Sequence, residues 1–118
     1  MNPEIGQPVM EVREAKQVII LRTDLRNEQG YKVRTGKLVA QGGHASVAAL
    51  MRLFNSWNED PDHRTYQLEC REDSPMGQWL DGKFTKIALG CDSEAALLAL
   101  KVRADEAHLL TAIIQDEG

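Results

Sequence analysis

Val18-Ile19-Ile20-Leu21 constrains the fold more than any other stretch of the chain. Three of its four residues are β-branched, and the run is bounded by Lys16-Gln17 before it and Arg22 after it. A strand with one wet face alternates apolar and polar residues, whereas a short unbroken apolar run suits a strand covered on both faces. That is the central strand of an α/β sheet. Asn27-Glu28-Gln29-Gly30 then supplies turn chemistry. Thr35 is a natural N-cap for a helix running to about Phe54. At 100° per residue, Val39, Gly43, Val47, Leu50 and Phe54 fall in one sector, the expected core face. Gly43 would there let the helix backbone approach the sheet, while Gly42 has no comparable reason.

Beyond the helix, residues 55–75 are polar, with Pro61, Pro75 and the acidic cluster Glu59-Asp60-Asp62. They read as an insertion or loop, with helical potential around Arg64 to Arg71. Met76 to Leu80 offers an aromatic anchor, Trp79, before the turn Asp81-Gly82. Phe84 to Leu89 reads as a second strand. Asp92 or Ser93 caps a helix whose Ala96, Leu97, Leu100 and Ala104 share a face. Leu109 to Ile114 reads as a third strand. The order strand, helix, strand, helix, strand implies an α/β fold. The expectation is a single-domain three-layer sandwich, with a small mixed sheet of three to four strands and helices on both faces. Residues 1–15 are expected to be a flexible arm and residues 16–118 the domain.

The chain has 118 residues, 42% of them apolar and 27% charged, enough for one core and too few for two. No apolar run approaches the ~20 residues that cross a bilayer. Met1 to Lys16 has acidic residues where a signal peptide needs a basic region and an apolar core. A cytoplasmic protein with no membrane partner is expected. Cys70 and Cys91 lack the spacing of a zinc site, and a disulfide is not expected in a reducing compartment. The net charge of −4 argues against indiscriminate nucleic-acid binding. It hides an asymmetry: residues 1–56 carry eight Lys/Arg against five Asp/Glu, and residues 57–118 carry six against thirteen. A basic surface around the first strand and helix is compatible with that split, as is plain solvation of both halves.

Gly36-Lys37 invites comparison with a phosphate-binding P-loop, and the comparison fails. Tyr31 stands where the motif needs its first glycine, and Leu38 where it needs Ser or Thr. Lys37 nevertheless sits at a strand-to-helix corner, where backbone N–H groups and the helix dipole favour an anion. Gln41 and His44 follow at helical spacing on the same side, a pattern that equally describes a solvated face. Arg22 and Asp24 fall on one side of the strand end by alternation, suiting an ion pair as well as catalysis. Asp116 alone is a turn residue.

These pieces together resemble the type II peptidyl-tRNA hydrolases. The family has an apolar strand ending in Arg-x-Asp-Leu, matched by Arg22-Thr23-Asp24-Leu25. Its Gly-Lys-x-x-x-Gln helix start is matched by Gly36-Lys37 and Gln41, and its His-Ala by His44-Ala45. The segment Trp79 to Ile87 is similar to the one leading into the family's second strand. Ile114-Gln115-Asp116-Glu117-Gly118 looks like the family's Asp-Ala-Gly with Glu117 for alanine. The likeness runs over residues 16–118.

The resemblance implies hydrolysis of the ester between a peptide, or an N-blocked aminoacyl group, and the terminal ribose of tRNA. It implies Lys37 and Asp116 in the active site, with Gly36, Gln41, His44, Arg22 and Asp24 binding substrate or supporting. It implies no metal and no cofactor, and the acceptor end of peptidyl-tRNA as partner. Lys37 would stabilise an oxyanion or bind the terminal phosphate. The family continues past its Asp-x-Gly turn into threonines and a last strand, whereas this chain stops at Gly118. A truncated or divergent member is therefore expected, with a sheet edge left for a partner or for a second copy in a homodimer. The alternative is a catalytically inactive module of the same fold that binds tRNA or a protein.

Overall fold

A computed structural model describes residues 14–115. The arm expected at residues 1–15 therefore lies almost wholly outside the described residues. The first strand, β1 (Gln17–Arg22), is followed by the long helix α1 (Thr35–Met51). Between them, the Asn27 side chain accepts hydrogen bonds from the backbone of Gln29 and Tyr31, both at 2.9 Å, and Gly30 takes φ +84° to close the turn. A left-handed φ of this kind is where glycine is strain-free.

α1 meets β1 on a face different from the one periodicity suggests. Gly42 and Ser46 are its buried residues, with Leu38, Ala45 and Ala49 half-buried beside them. A Cβ on Gly42 would come within 3.8 Å of Ile19 Cγ2, while Gly43 faces open space. Val39 is 68% exposed and Val47 53%. Small side chains let the helix lie close to the strand, and close approach has outweighed the apolar content of the neighbouring sector. The roles expected of the two glycines are exchanged. Ser46 and Gln17 lock the contact reciprocally: Ser46 Oγ donates to Gln17 Oε1 at 2.5 Å, and Gln17 Nε2 donates to the Ser46 carbonyl at 3.1 Å. Buried Ser46 and half-buried Gln17 are thus satisfied together.

After α1 comes an antiparallel hairpin, β2 (Phe54–Asp60) and β3 (His63–Leu68), where a loop with some helix was expected. Phe54, Trp57, Thr65 and Tyr66 are good strand formers, and Asp60 closes the tip. Its Oδ1 accepts from Asp62 N at 2.8 Å and lies 2.9 Å from His63 Nδ1. Pro61 and Asp62 are the two residues between the strands.

Ser74 caps the short helix α2 (Pro75–Asp81), accepting from Gly77 N at 3.1 Å, with Pro75 at the first helical position. Trp79 is 4% exposed and anchors the region as foreseen. Its indole donates to the Thr85 carbonyl at 2.7 Å and its ring stacks on Phe84 at 4.1 Å. Strand β4 (Lys86–Cys91) begins two residues later than expected, because Phe84 adopts φ +58° and turns the chain there. It pairs with β1 in parallel, from Gln17 opposite Lys86 to Arg22 opposite Cys91. Ser93 caps the last helix, α3 (Glu94–Glu106), accepting from Ala96 N at 3.0 Å.

Among the described residues, four strands, parallel and antiparallel, thus form two small sheets with three helices, an α/β fold. Leu109 to Ile114 is not a strand among the described residues. His108 turns with φ +59°, Leu109 N donates back to the Ala104 carbonyl at 3.0 Å, and Thr111 Oγ1 donates to Asp105 at 2.7 Å. These bonds, with one from Arg52 to the Thr111 carbonyl, hold the segment near the end of α3.

Candidate functional site

Ile19 lies against Gly42 and Gln17 against Ser46, so α1 runs opposite in direction to β1. A helix rises about 1.5 Å per residue and a strand about 3.3 Å, so Lys37 stands roughly level with Leu21 and Arg22. The parallel register puts Cys91, the end of β4, beside Arg22, with the start of α3 just after it. Two strand ends and two helix starts therefore gather at one end of the fold. In open α/β sheets this carboxyl end of the strands is where ligands bind.

The start of α1 carries no side-chain cap. The helix opens one residue earlier than expected: Arg34 occupies the N-cap position with φ −64° and ψ 149°, and Thr35 is already helical. An arginine has no acceptor to offer, and the first turn holds no acidic residue. Lys37 N and Leu38 N both turn to the Arg34 carbonyl, at 3.0 and 3.2 Å. Lys37 is half-buried, and among the described residues no hydrogen-bond or ion-pair partner stands against its ammonium. Gly36 is exposed, with open space where a Cβ would project.

Arg22 and Asp24 behave differently. Arg22 Nε donates to Asp24 Oδ1 at 3.0 Å and Nη2 to Oδ2 at 2.7 Å, a two-pronged pair. Glu94 at the start of α3 lies 3.9 Å from Arg22 Nη1. The hydrogen bonds to Asp24 raise the Arg22 pKa, and those from Arg22 hold the Asp24 carboxyl below its usual range. The pair ties the end of β1 to the loop that leads to α1. It is the structural ion pair that alternation allowed, with Glu94 as a third member. The sequence signal for Glu94 was its place just after Ser93, at a helix start following a strand.

Gln41 is half-buried and His44 exposed, about one turn and two turns beyond Lys37 along α1. Asp116 lies outside the described residues. The fold therefore brings Arg22, Asp24, Gly36 and Lys37 to one end. Exposed Arg26, Lys32 and Arg34 frame the corner, with Arg26 and Lys32 bridged across the loop. They supply the basic surface that the charge split allowed around the first strand and helix, a split that composition alone could not trace to these three residues.

This is an α/β protein with a positively charged strand-to-helix corner, suited to an anionic ligand. Comparison with known proteins places it further. A family model described as Peptidyl-tRNA hydrolase PTH2 matches residues 15–118, and the chain belongs to that family. It is 33% identical over 103 residues to a probable peptidyl-tRNA hydrolase 2 of Drosophila melanogaster, covering 87% of this chain and 44% of the fly protein. It is 31% identical to the peptidyl-tRNA hydrolases of Methanopyrus kandleri and Pyrobaculum aerophilum. Those matches cover 87% and 89% of this chain, and 70% and 72% of the archaeal proteins. No solved structure gives a significant match. Among the described residues, no helix is long and apolar enough to cross a membrane.

Proposed function

We propose that this chain is a peptidyl-tRNA hydrolase, cleaving the ester that joins a peptide or N-blocked aminoacyl group to the terminal ribose of tRNA. The observation that carries the reading is Lys37. It is half-buried at an uncapped helix start, beside the carboxyl ends of two parallel strands, and no described anion neutralises it. Water adds to the ester carbonyl, the tetrahedral oxyanion collapses, and the ribose oxygen leaves with a proton. An ammonium and backbone N–H groups aimed at the oxyanion lower that barrier, and one such donor contributes about 3 kcal/mol. Asp116 orients the water or takes its proton. The Arg22–Asp24 pair holds the loop that presents the lysine, and Gly36, Gln41 and His44 line the approach of the acceptor end.

The positive charge this chemistry needs is carried by protein groups, so the reaction is read as independent of metal. Residues 16–118 form the working unit in this reading, in the cytoplasm. Family membership does not favour the alternative of an inactive binding module. The test is release of free tRNA from an N-acetylated aminoacyl-tRNA by the purified protein. Lys37→Ala is expected to slow release by about a hundredfold or more, the usual cost of one oxyanion donor. Release by the wild type no faster than by Lys37→Ala removes the enzymatic reading.

A further inference from the structure

Alternation and register divide the β2–β3 hairpin into two faces of different chemistry. Trp57, Glu59, His63 and Thr65 share one of them. There the Glu59 carboxylate accepts from the Trp57 indole and from Thr65 Oγ1, both at 2.8 Å. Asp60 closes the tip onto His63 and the Asp62 amide. The carboxylates of Glu59 and Asp60 are therefore engaged on that face and in the turn. Phe54, Ser56, Asn58, Arg64, Tyr66 and Leu68 form the other face, which carries no acid.

Arg64 reaches across this acid-free face from one strand to the other. Its Nη1 donates to Asn58 Oδ1 and its Nη2 to Ser56 Oγ, both at 2.7 Å, and its Cζ stands 5.9 Å from the Tyr66 ring centre. Bonds to neutral oxygens order the guanidinium and leave its charge in place. Among the described residues no carboxylate lies within ion-pair distance of it. Tyr66 beside it is 62% exposed and Phe54 38%. A purely apolar partner laid on this face would bury the Arg64 charge unpaired, which is costly. An unpaired stretch of nucleic acid fits instead: bases stack on the ring and on the guanidinium plane, and a phosphate meets the charge.

We propose that the Arg64–Tyr66 face of the hairpin holds unpaired bases of the tRNA, a second contact that rests on the hydrolase reading and lies apart from the ester. The hairpin leaves the C-terminal end of α1, whereas Lys37 stands at its start. Seventeen helical residues rise about 25 Å, so one tRNA spanning both ends is gripped at two separate places. Stacking tolerates any base, so this contact adds affinity without selecting a sequence. The opposite face is unsuited to the same task, because Glu59 beside Trp57 repels phosphate.

Fluorescence anisotropy of labelled deacylated tRNA, titrated with the full chain, tests this. Deacylated tRNA has no ester to cleave, so the outcome is separate from that of the release assay, which alone decides the hydrolase reading. Arg64→Ala and Tyr66→Ala are each expected to weaken binding about tenfold, within the range of one stacked base. Tyr66→Phe keeps the ring and should bind as the wild type does. Arg64→Lys keeps the charge but not the plane, and should weaken binding about fivefold. Trp57→Ser, on the opposite face, should stay within about twofold of the wild type. Short single-stranded RNA should compete with the tRNA, and blunt duplex RNA should compete far less. A wild type that does not bind tRNA, a Tyr66→Ala variant that binds undiminished, or an equal loss in Trp57→Ser overturns the proposal. Equal competition by the duplex would show that phosphates alone are read, and would overturn it too.

Discussion

The two sheets of this protein solve the same problem in opposite ways. β1 and β4 pair in parallel and are joined to α1 by the Gly42–Ile19 contact and the Gln17–Ser46 lock. β2 and β3 pair antiparallel, and among the described residues their side-chain bonds, Arg64 to Asn58 and Ser56, and Trp57 and Thr65 to Glu59, stay within the hairpin. The parallel pair is long-range in sequence and needs the helices to exist. The hairpin is local, closed by its own turn. The difference teaches where chemistry can be placed. A corner held by contacts between β1, α1, β4 and α3 can position Lys37 and the Arg22–Asp24 pair, whereas the hairpin is free to serve as an arm.

The comparison breaks most visibly at Trp79. Its indole is buried, stacked on Phe84 and bonded to the Thr85 carbonyl that also accepts from Gln17 at the start of the parallel ladder. Trp79→Ala should cost about 3–5 kcal/mol, as for large aromatic truncations in cores. Denaturant unfolding measures it. Trp57→Ser in the hairpin, on the face away from Tyr66, should cost within about 0.5 kcal/mol at concentrations that keep the protein monomeric. Equal losses from the two tryptophans would show that the hairpin is part of the cooperative unit after all.

The two glycines sharpen the packing side of the contrast. Gly43→Ala adds a methyl in open space and removes a flexible helical residue, so it should stabilise by about 1 kcal/mol. Gly42→Ala places its methyl in ordinary contact with Ile19 and should stabilise by about the same or slightly less. Gly42→Leu should instead push α1 off β1 and cost about 1–3 kcal/mol, while Gly43→Leu should be tolerated. Thermal unfolding of the four variants decides it. If Gly43→Leu proves the damaging one, the helix is turned as its apolar sector suggests.

What the sequence made legible follows the same divide. The Val18–Leu21 run, the Asn27–Gly30 turn, the Ser93 cap and the Trp79 anchor are local signals, and each is where it was read. The face of α1 was misread because periodicity ranks faces by apolar content. Contact with β1 is decided by how closely small residues let two backbones approach. The hairpin was missed because Pro61 and the acids around it look like a loop, and their strand partners declare themselves only once Phe54 meets Leu68 across the turn. The family pieces around Lys37 were legible in order. The missing cap at Arg34 and the third member Glu94 were not, because they depend on where a helix starts to within one residue and on which strand end lies beside it.

Acid provides the finest probe, because a depressed carboxylate exists on each side of the divide. Asp24 is held below its usual range by the hydrogen bonds from Arg22, and Asp60 by its hydrogen bond with His63. For a carboxyl group whose folded pKa is depressed, the stability it adds is complete above the unfolded value, about 3.9 for aspartate. That stability fades as pH falls through the lower folded value. Both groups therefore act in the same pH window and with the same sign, and they differ only in what they hold. Asp24 ties β1 to the loop before α1, so Asp24→Asn should lower stability near neutral pH slightly and flatten its fall below about pH 4. Asp60 closes a turn that opens without the rest of the fold, so Asp60→Asn should leave the acid limb of global unfolding unchanged. It should loosen only the hairpin amides in hydrogen exchange. Circular dichroism against pH reads the first effect and exchange the second. A change of the global acid limb in Asp60→Asn would mean that the hairpin unfolds with the parallel pair, and that the two sheets share a core.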